Sequence, residues 1–307
     1  MSTTFHLCYT SHDEVMFRNE NDMNMAFNCL CSSLCKTDST CYAYAFMSDH
    51  HHGCYSTKHP GELIRTTRES YTKLFNNKYY RRGPLGDLGL FLQEVQGLKH
   101  FLAAVSYVLK NAPHHGAAST PFEYPFSSVN AYFRKALGKS REGETYLTND
   151  QIKAVLPRRA SFNPDWKMGV DGVFFPESVL DVASVENAYG TVQAFNYYMG
   201  RKSGEDWKKE QEEENETIPF SLENMESFWL ERNTVSVADL LRNEKARFVT
   251  APITDLELCK IIDEQCVPVY ERKSVYHLTG SEKTEIANRL YKEYHAGINQ
   301  IKRCLVF

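Results

Sequence analysis

The sequence predicts an α+β protein: a small, disulfide-stapled module of one helix and an antiparallel sheet, followed by a larger, mainly α-helical domain. Three observations lead there. Of nine cysteines, Cys8, Cys29, Cys31, Cys35, Cys41 and Cys54 crowd the N-terminal end, while Cys259, Cys266 and Cys304 lie near the other end. A dense, even set followed by a long cysteine-free stretch is the composition shift expected where a stapled module joins a domain with its own apolar core. Apolar residues recur at helical spacing, then alternate, within the first 76 residues. Beyond residue 86 the helical period dominates.

The elements follow in order. Asp22 stands before MNMAFNCLCSSLC, where Met23, Phe27, Leu30, Cys31 and Leu34 repeat at three and four residues, which predicts a helix with an Asp N-cap. Cys31 and Cys35 share one face of that helix, and Cys29 points elsewhere. KTDST supplies turn chemistry. CYAYAFM then alternates, with Tyr42, Tyr44 and Phe46 on one face and Ala43, Ala45 and Met47 on the other, as a half-buried strand does. SDHHHG reads as a polar connection, so His50, His51 and His52 are expected at an exposed hairpin tip, with Cys54-Tyr55-Ser56 starting the return strand. Glu69 to Phe75 alternates again and predicts a further strand. The expected layout is a module over 1–76, a Gly- and Pro-punctuated linker over 77–86 and a helical domain over 87–307.

In that domain Phe91, Val95, Leu98, Leu102, Val105 and Leu109 keep a regular helical stripe, read as a core helix. Further helices are expected at 128–137, at 148–156 with Thr148 and Gln151 as a capping box, and at 177–200. Others follow Ser236 and Thr254, and a last one from about 282 carries Ile286, Leu290, Tyr294, Ile298, Ile301 and Leu305. The charged run at about 201–217 reads as a solvated loop between helical parts. Within it, Asn215 begins an Asn-Glu-Thr glycosylation triplet.

CLCSSLCKTDSTCYAYAF…GCYS, with YTKLF about twenty residues on, resembles the PAN/apple family over roughly residues 5–76. That resemblance implies disulfides Cys31–Cys54, from helix to hairpin, and Cys35–Cys41, across the short loop. Cys8 resembles an N-terminal cysteine of longer apple domains. A Cys8–Cys29 bridge departs from the family pattern. Binding of a protein or glycan ligand, outside the cell or at its surface, is what the resemblance implies for function. No secretory leader is legible in MSTTFHLCYTSHDE, so either a leader precedes Met1 or the chain is cytosolic with reduced cysteines.

Net charge of −4 and a pI near 6.3 give no global attraction to nucleic acid or anionic membrane, and neither is expected as a partner. The longest apolar stretch, residues 88–109, carries too many polar side chains to span a bilayer. No phosphate-binding loop, dinucleotide fingerprint or hydrolase signature occurs, so no cofactor is expected. Cys35 and Cys41 are too far apart for zinc-finger spacing, which leaves no metal motif. His114 and His115, in a Pro- and Gly-bounded loop, are the candidates for the alternative reading, a metal-dependent hydrolase with its site in the helical domain. Asp165, Asp171 and Glu177 are read as turn chemistry and a helix N-terminal charge. Cys259 and Cys266 sit two helical turns apart and cannot bridge each other, but either can meet Cys304.

Overall fold

The computed structural model describes residues 2–11, 14–86, 89–139, 141, 143–201 and 253–307. Asn215, the Ser236 helix and nearly all of the charged run fall outside the described residues.

Strand β1 (Thr3–Thr10) leads into helix α1 (Glu20–Lys36), then strands β2 (Thr40–Phe46) and β3 (His50–Thr57), helix α2 (Pro60–Lys78) and strand β4 (Gly89–Glu94). The four strands form one antiparallel sheet in the order β2-β3-β1-β4. This β-α-β-β-α-β succession is the split arrangement of ferredoxin-like folds. The α+β class thus holds, with a mostly helical remainder.

The N-cap of helix α1 lies three residues before the expected one. Asn19, in extended backbone, accepts the Asp22 amide hydrogen and is the true N-cap. Asp22 lies inside the helix, buried, where its carboxylate accepts from Lys78 Nζ at 2.6 Å and the Tyr79 hydroxyl at 2.8 Å. Residues 69–75 are helix, not strand. Pro60 occupies the first turn of α2, and Leu63, Ile64, Thr67, Tyr71 and Phe75 form its buried stripe. That 3.6-residue pattern outweighs the shorter alternation read at Glu69–Phe75.

The sheet does not end at the expected boundary. Its fourth strand comes from residues beyond 86, and one connected core runs from Leu7 to Met199. A second cluster joins Val15 to Leu258, Ile262, Leu290 and Leu305. The described cores therefore divide between residue 199 and residue 253, rather than near residue 80.

Phe91 and Val95 do not belong to a long helix. β4 takes residues 89–94, and α3 (Gly97–Leu109) begins after Gln96. Val105 and Leu109 are buried as expected, whereas Leu98 is 60% exposed. A one-turn helix α4 (Asn111–His114) follows directly. Residues 128–131 make only a 3-10 turn. Helix α5 (Asn149–Val155) carries the Thr148/Gln151 capping box. The expected 177–200 helix is three: α6 (Pro176–Val179), α7 (Val182–Tyr189) and α8 (Val192–Gly200). Gly190 at φ 74° closes α7 and Thr191 caps α8, a Gly-Thr punctuation that ends one helix and starts the next.

The C-terminal unit begins with α9 (Asp255–Ile261), capped by Thr254 and Glu257, and runs through a π turn at Ile262–Cys266. The last expected helix is broken into α10 (Gly280–Tyr294) and α11 (Ile298–Leu305) at His295, which is left-handed. Two arginines, Arg18 buried and Arg303 half-buried, anchor this unit against the N-terminal elements. Arg18 donates to Asp263 through Nε at 2.8 Å and Nη2 at 2.7 Å, and to the Cys304 carbonyl at 2.8 Å. Arg303 grips Asp255, which also accepts from Ser48 Oγ at 2.7 Å in the β2–β3 turn.

All nine cysteines are free thiols. The bridges Cys31–Cys54, Cys35–Cys41 and Cys8–Cys29 are not formed. The reason is visible in the core. Cys31, Cys41 and Cys54 are buried, Cys41 lying near the other two, and they fill space in the core around the sheet as small apolar side chains do. Burial pushes the thiols of Cys31, Cys41 and Cys54 well up, and that of Cys29 up to about 12, which keeps them protonated. Cys304 and Cys259 are both buried in the C-terminal core and lie near one another.

Candidate active site

The sheet has two covered faces. Antiparallel register puts Cys8 opposite His52, His6 opposite Cys54 and Thr10 opposite His50, so these six side chains share one face. Ala43 and Ala45 of β2 and Phe91 and Gln93 of β4 extend the same face. Helix α3 lies over it. Tyr107 of α3 packs edge-on against His6 (ring centroids 5.6 Å apart) and His52 (5.3 Å). The opposite face carries Leu7, Tyr9, Tyr44, Phe46, His51 and Tyr55 towards the side of α1 and α2, as the contact of Phe27 with Tyr44 shows.

The three consecutive histidines are therefore not a hairpin tip. They open strand β3, and His50, His51 and His52 are 3%, 1% and 0% exposed. The turn is Met47–Asp49, shorter than expected. An imidazole can be buried where it is neutral and hydrogen-bonded, and a strand sends residues 50 and 52 to one side and 51 to the other.

Each ring on the α3 face is held by a specific partner. His50 Nδ1 donates to Asp49 Oδ1 at 2.7 Å, and its Nε2 lies 2.9 Å from Asn111 Oδ1. His52 Nδ1 lies 3.3 Å from His6 Nε2. Nδ1 of His6 and Nδ2 of Asn111 are buried with no hydrogen-bond partner. Burial, then the nearby His100, lowers the His6 pKa to about 3, and burial, then His50, holds that of His52 well below the ordinary value. Both rings are thus neutral near pH 7. Asp49 is pushed up by burial, but His50, through its charge and hydrogen bond, then Arg303 and His115, hold it below the usual carboxylate range. Cys8 is no nucleophile here, because burial, then Asp49, raises its thiol far above neutrality.

The His50–Asn111 contact has a chemical consequence. With Nδ1–H committed to Asp49, Nε2 of His50 donates to the amide oxygen when it carries a proton, and turns a lone pair towards another lone pair there when it does not. Such a pair repels unless a proton or a cation lies between the two atoms, or the amide is turned over. Adjacent ligands of an octahedral cation with bonds of about 2.0–2.1 Å stand about 2.9–3.0 Å apart. The 2.9 Å spacing fits that geometry. The hydrogen bond from His50 to Asp49 is also the carboxylate–imidazole support common behind metal-bound histidines. Among the described residues, no three His, Cys, Asp or Glu side chains are placed to hold a metal ion. The third donor here is an amide, Asn111.

His114 and His115 close α4 at the rim of this face. His115 packs edge-on against His50 at 4.8 Å, and His114 lies 6.3 Å from the Tyr107 ring. The structure thus brings the two candidates to residues that sequence reasoning missed: His6, Asp49, His50, His52, Tyr107 and Asn111. A signal existed for each group. His-x-His before an alternating Cys-x-Ser places two imidazoles on one strand face, and Tyr107, Asn111 and His114 recur at four and three residues along α3 and α4. Asp165, Asp171 and Glu177 serve other ends. The Asp165 amide bonds to Asn163, Asp171 accepts from the Val173 amide, and Glu177 pairs with Arg134 and Arg141.

No family model matches the chain, and no curated protein does. Among solved structures, the chain is similar to a REP-associated tyrosine transposase bound to a REP hairpin. The similarity is 12% in sequence with a TM-score of 0.38, over 45% of this chain and 80% of that one. A likeness of that size carries no argument about this chain's activity. Two expectations are nevertheless corrected. The reading as a secreted or cell-surface binder of protein or glycan leaned on disulfides, and the cysteines are free. The exclusion of nucleic acid leaned on net charge alone, and a whole-chain net charge does not exclude a local binding surface. Among the described residues no helix is long and apolar enough to cross a membrane.

Proposed function

We propose that the chain is a metal-dependent enzyme that breaks a nucleic-acid phosphodiester by transfer to Tyr107. The observation that carries the reading is the convergence, on one sheet face, of His50 Nε2 and Asn111 Oδ1 at 2.9 Å, with neutral His52 and the phenol of Tyr107 beside them. His50, His52 and Asn111 would hold a divalent cation. A cation held there would supply Lewis-acid polarisation of a phosphoryl oxygen. Asp49 fixes the tautomer of His50, and His6 fixes the ring of His52. Asn111 follows Tyr107 by four residues, so the metal donor and the phenol sit one helical turn apart.

Phosphorus rather than carbon is the fitting electrophile. A tyrosyl phosphodiester is a stable covalent intermediate that conserves the energy of the broken bond, whereas a tyrosyl ester hydrolyses readily. The step balances as a transesterification. The Tyr107 oxygen forms a bond to phosphorus, the bridging bond to the leaving sugar oxygen breaks, and the phenol proton passes in net to that oxygen.

The test is incubation of the full chain with end-labelled single-stranded and hairpin DNA and Mn²⁺ or Mg²⁺, followed by denaturing electrophoresis. The reading expects a labelled protein band that needs the metal and vanishes in Tyr107→Phe and His52→Ala. Cleavage that persists in Tyr107→Phe, or no adduct with any metal and DNA, contradicts it.

A further inference from the structure

A second site lies where the loop after α2 meets the C-terminal unit. Ser11, Glu14, five residues of the 80–86 loop, Tyr276, His277 and residues 306–307 line an open cleft of about 570 Å³. That is within the size range of ligand sites. Its wall is pinned by Gly86, at φ 64°, which lies so close to Ser11 that an added Cβ would come within 2.4 Å of the serine side chain.

Among the described residues, the charge in the cleft is one-sided. Of these, Glu14 is the one acid lining it, and it is consumed: it accepts from Arg81 at 2.8 Å, the Gly86 amide at 2.9 Å and the Tyr276 hydroxyl at 3.3 Å. Arg81 is itself held in place, bonded to the Pro84 carbonyl at 2.7 Å and lying 5.2 Å above the Tyr276 ring. Arg82 is exposed and has no ion pair among the described residues. Two aromatic side chains stand out into solvent, Tyr80 at 62% and Phe307 at 57% exposure. Each has an ammonium over its ring, Lys273 at 5.3 Å and Lys283 at 5.9 Å. Tyr80 holds a left-handed backbone, φ 53°, which a bulky side chain adopts only where the surrounding structure imposes it.

Exposed aromatic faces flanked by unneutralised cations are what a single strand of nucleic acid binds, its bases stacking and its phosphates meeting the cations. We infer that this cleft holds a single-stranded segment of the nucleic acid, with Tyr80 as a stacking platform and Arg82 as a phosphate contact. The inference rests on the proposed phosphodiester chemistry and assigns that substrate a binding surface away from Tyr107.

The test is fluorescence anisotropy with a labelled single-stranded oligonucleotide in chelator, using the full chain carrying Tyr107→Phe so that nothing is cleaved. Adding Tyr80→Ala and Arg82→Ala should weaken binding about tenfold or more and flatten its salt dependence, while Tyr80→Phe with Arg82→Lys keeps both. Equal affinity and equal salt slope in the alanine double variant overturn the inference. The two proposals fail separately. A parent that binds strand through these residues but never forms an adduct sinks only the chemistry. An adduct-forming enzyme indifferent to both alanines sinks only the cleft.

Discussion

His51 and its two neighbours make a comparison inside three residues. His51 faces the α1 and α2 side, stacked among Tyr9, Phe46 and Tyr55, with its Nε2 2.6 Å from the Tyr55 hydroxyl. His50 and His52 face α3, and meet Asp49, Asn111, His6 and Tyr107. The same side chain, on the same strand, thus meets a packed aromatic cluster on one face and a set of polar groups on the other, where the proposed chemistry lies. Burial alone does not mark a histidine as functional. What marks it is whether its nitrogens meet the hydroxyl of a packed core ring or a set of carboxylate, amide and imidazole groups beside a nucleophile.

The sharpest way to break this comparison is catalytic. His52→Ala should lower adduct formation by about a thousandfold or more, since it removes one of the three metal donors, whereas His51→Ala should leave the remaining folded enzyme active. Equal loss in both would mean that the two faces do not differ in role. Stability should invert the ranking. His51→Ala opens a hole among aromatic rings and should cost about 2–4 kcal/mol by urea unfolding. Gly53→Ala presses on the same packing, because its Cβ would fall 2.2 Å from the buried Tyr55 ring, and should cost about 1–3 kcal/mol. A neutral Gly53→Ala would show that this face is looser than described.

The pH dependence tests the neutral state of the rings. His6 and His51 are both lowered to about 3, by burial and then by His100 and His50 respectively. A group depressed in the folded state leaves stability intact above its unfolded pKa of about 6.5, and stability falls as the pH drops from there towards 3, because the unfolded chain takes up the protons. Between pH 7 and pH 5 each such ring should cost about 2 kcal/mol, and His51→Phe should remove one share of that slope. A flat profile would mean that the rings are charged when folded. The smallest expected effect is that of reductant. With all nine thiols free, it should move the melting temperature by no more than about 1 °C. A larger drop would reinstate a disulfide.

Much of the fold was legible because it depends on local periodicity. Helix α1, the alternating YAYAF strand, and the Thr148 and Thr254 capping boxes all carry their own signals. What was not legible depends on contacts distant in sequence. Nothing local says that Gly89–Glu94 pairs with β1, 79 or more residues earlier, or that α3 lies over β3. The cysteines misled because thiols gathered by a common core have the same spacing as thiols gathered by bridges. The histidines misled because a run of three polar residues beside Ser-Asp looks like a turn. Only the pairing of β3 with β1 turns His-x-His into a site, by setting His6 and Cys8 alongside it.

The account stands on one covalent bond. Peptide mapping of the protein–DNA adduct by mass spectrometry, after nuclease trimming, tests it most directly. The account predicts a nucleotide phosphate on the oxygen of Tyr107 in a metal-dependent reaction. An adduct on another residue, or phosphodiester cleavage with Tyr107 unmodified at every time point, contradicts it.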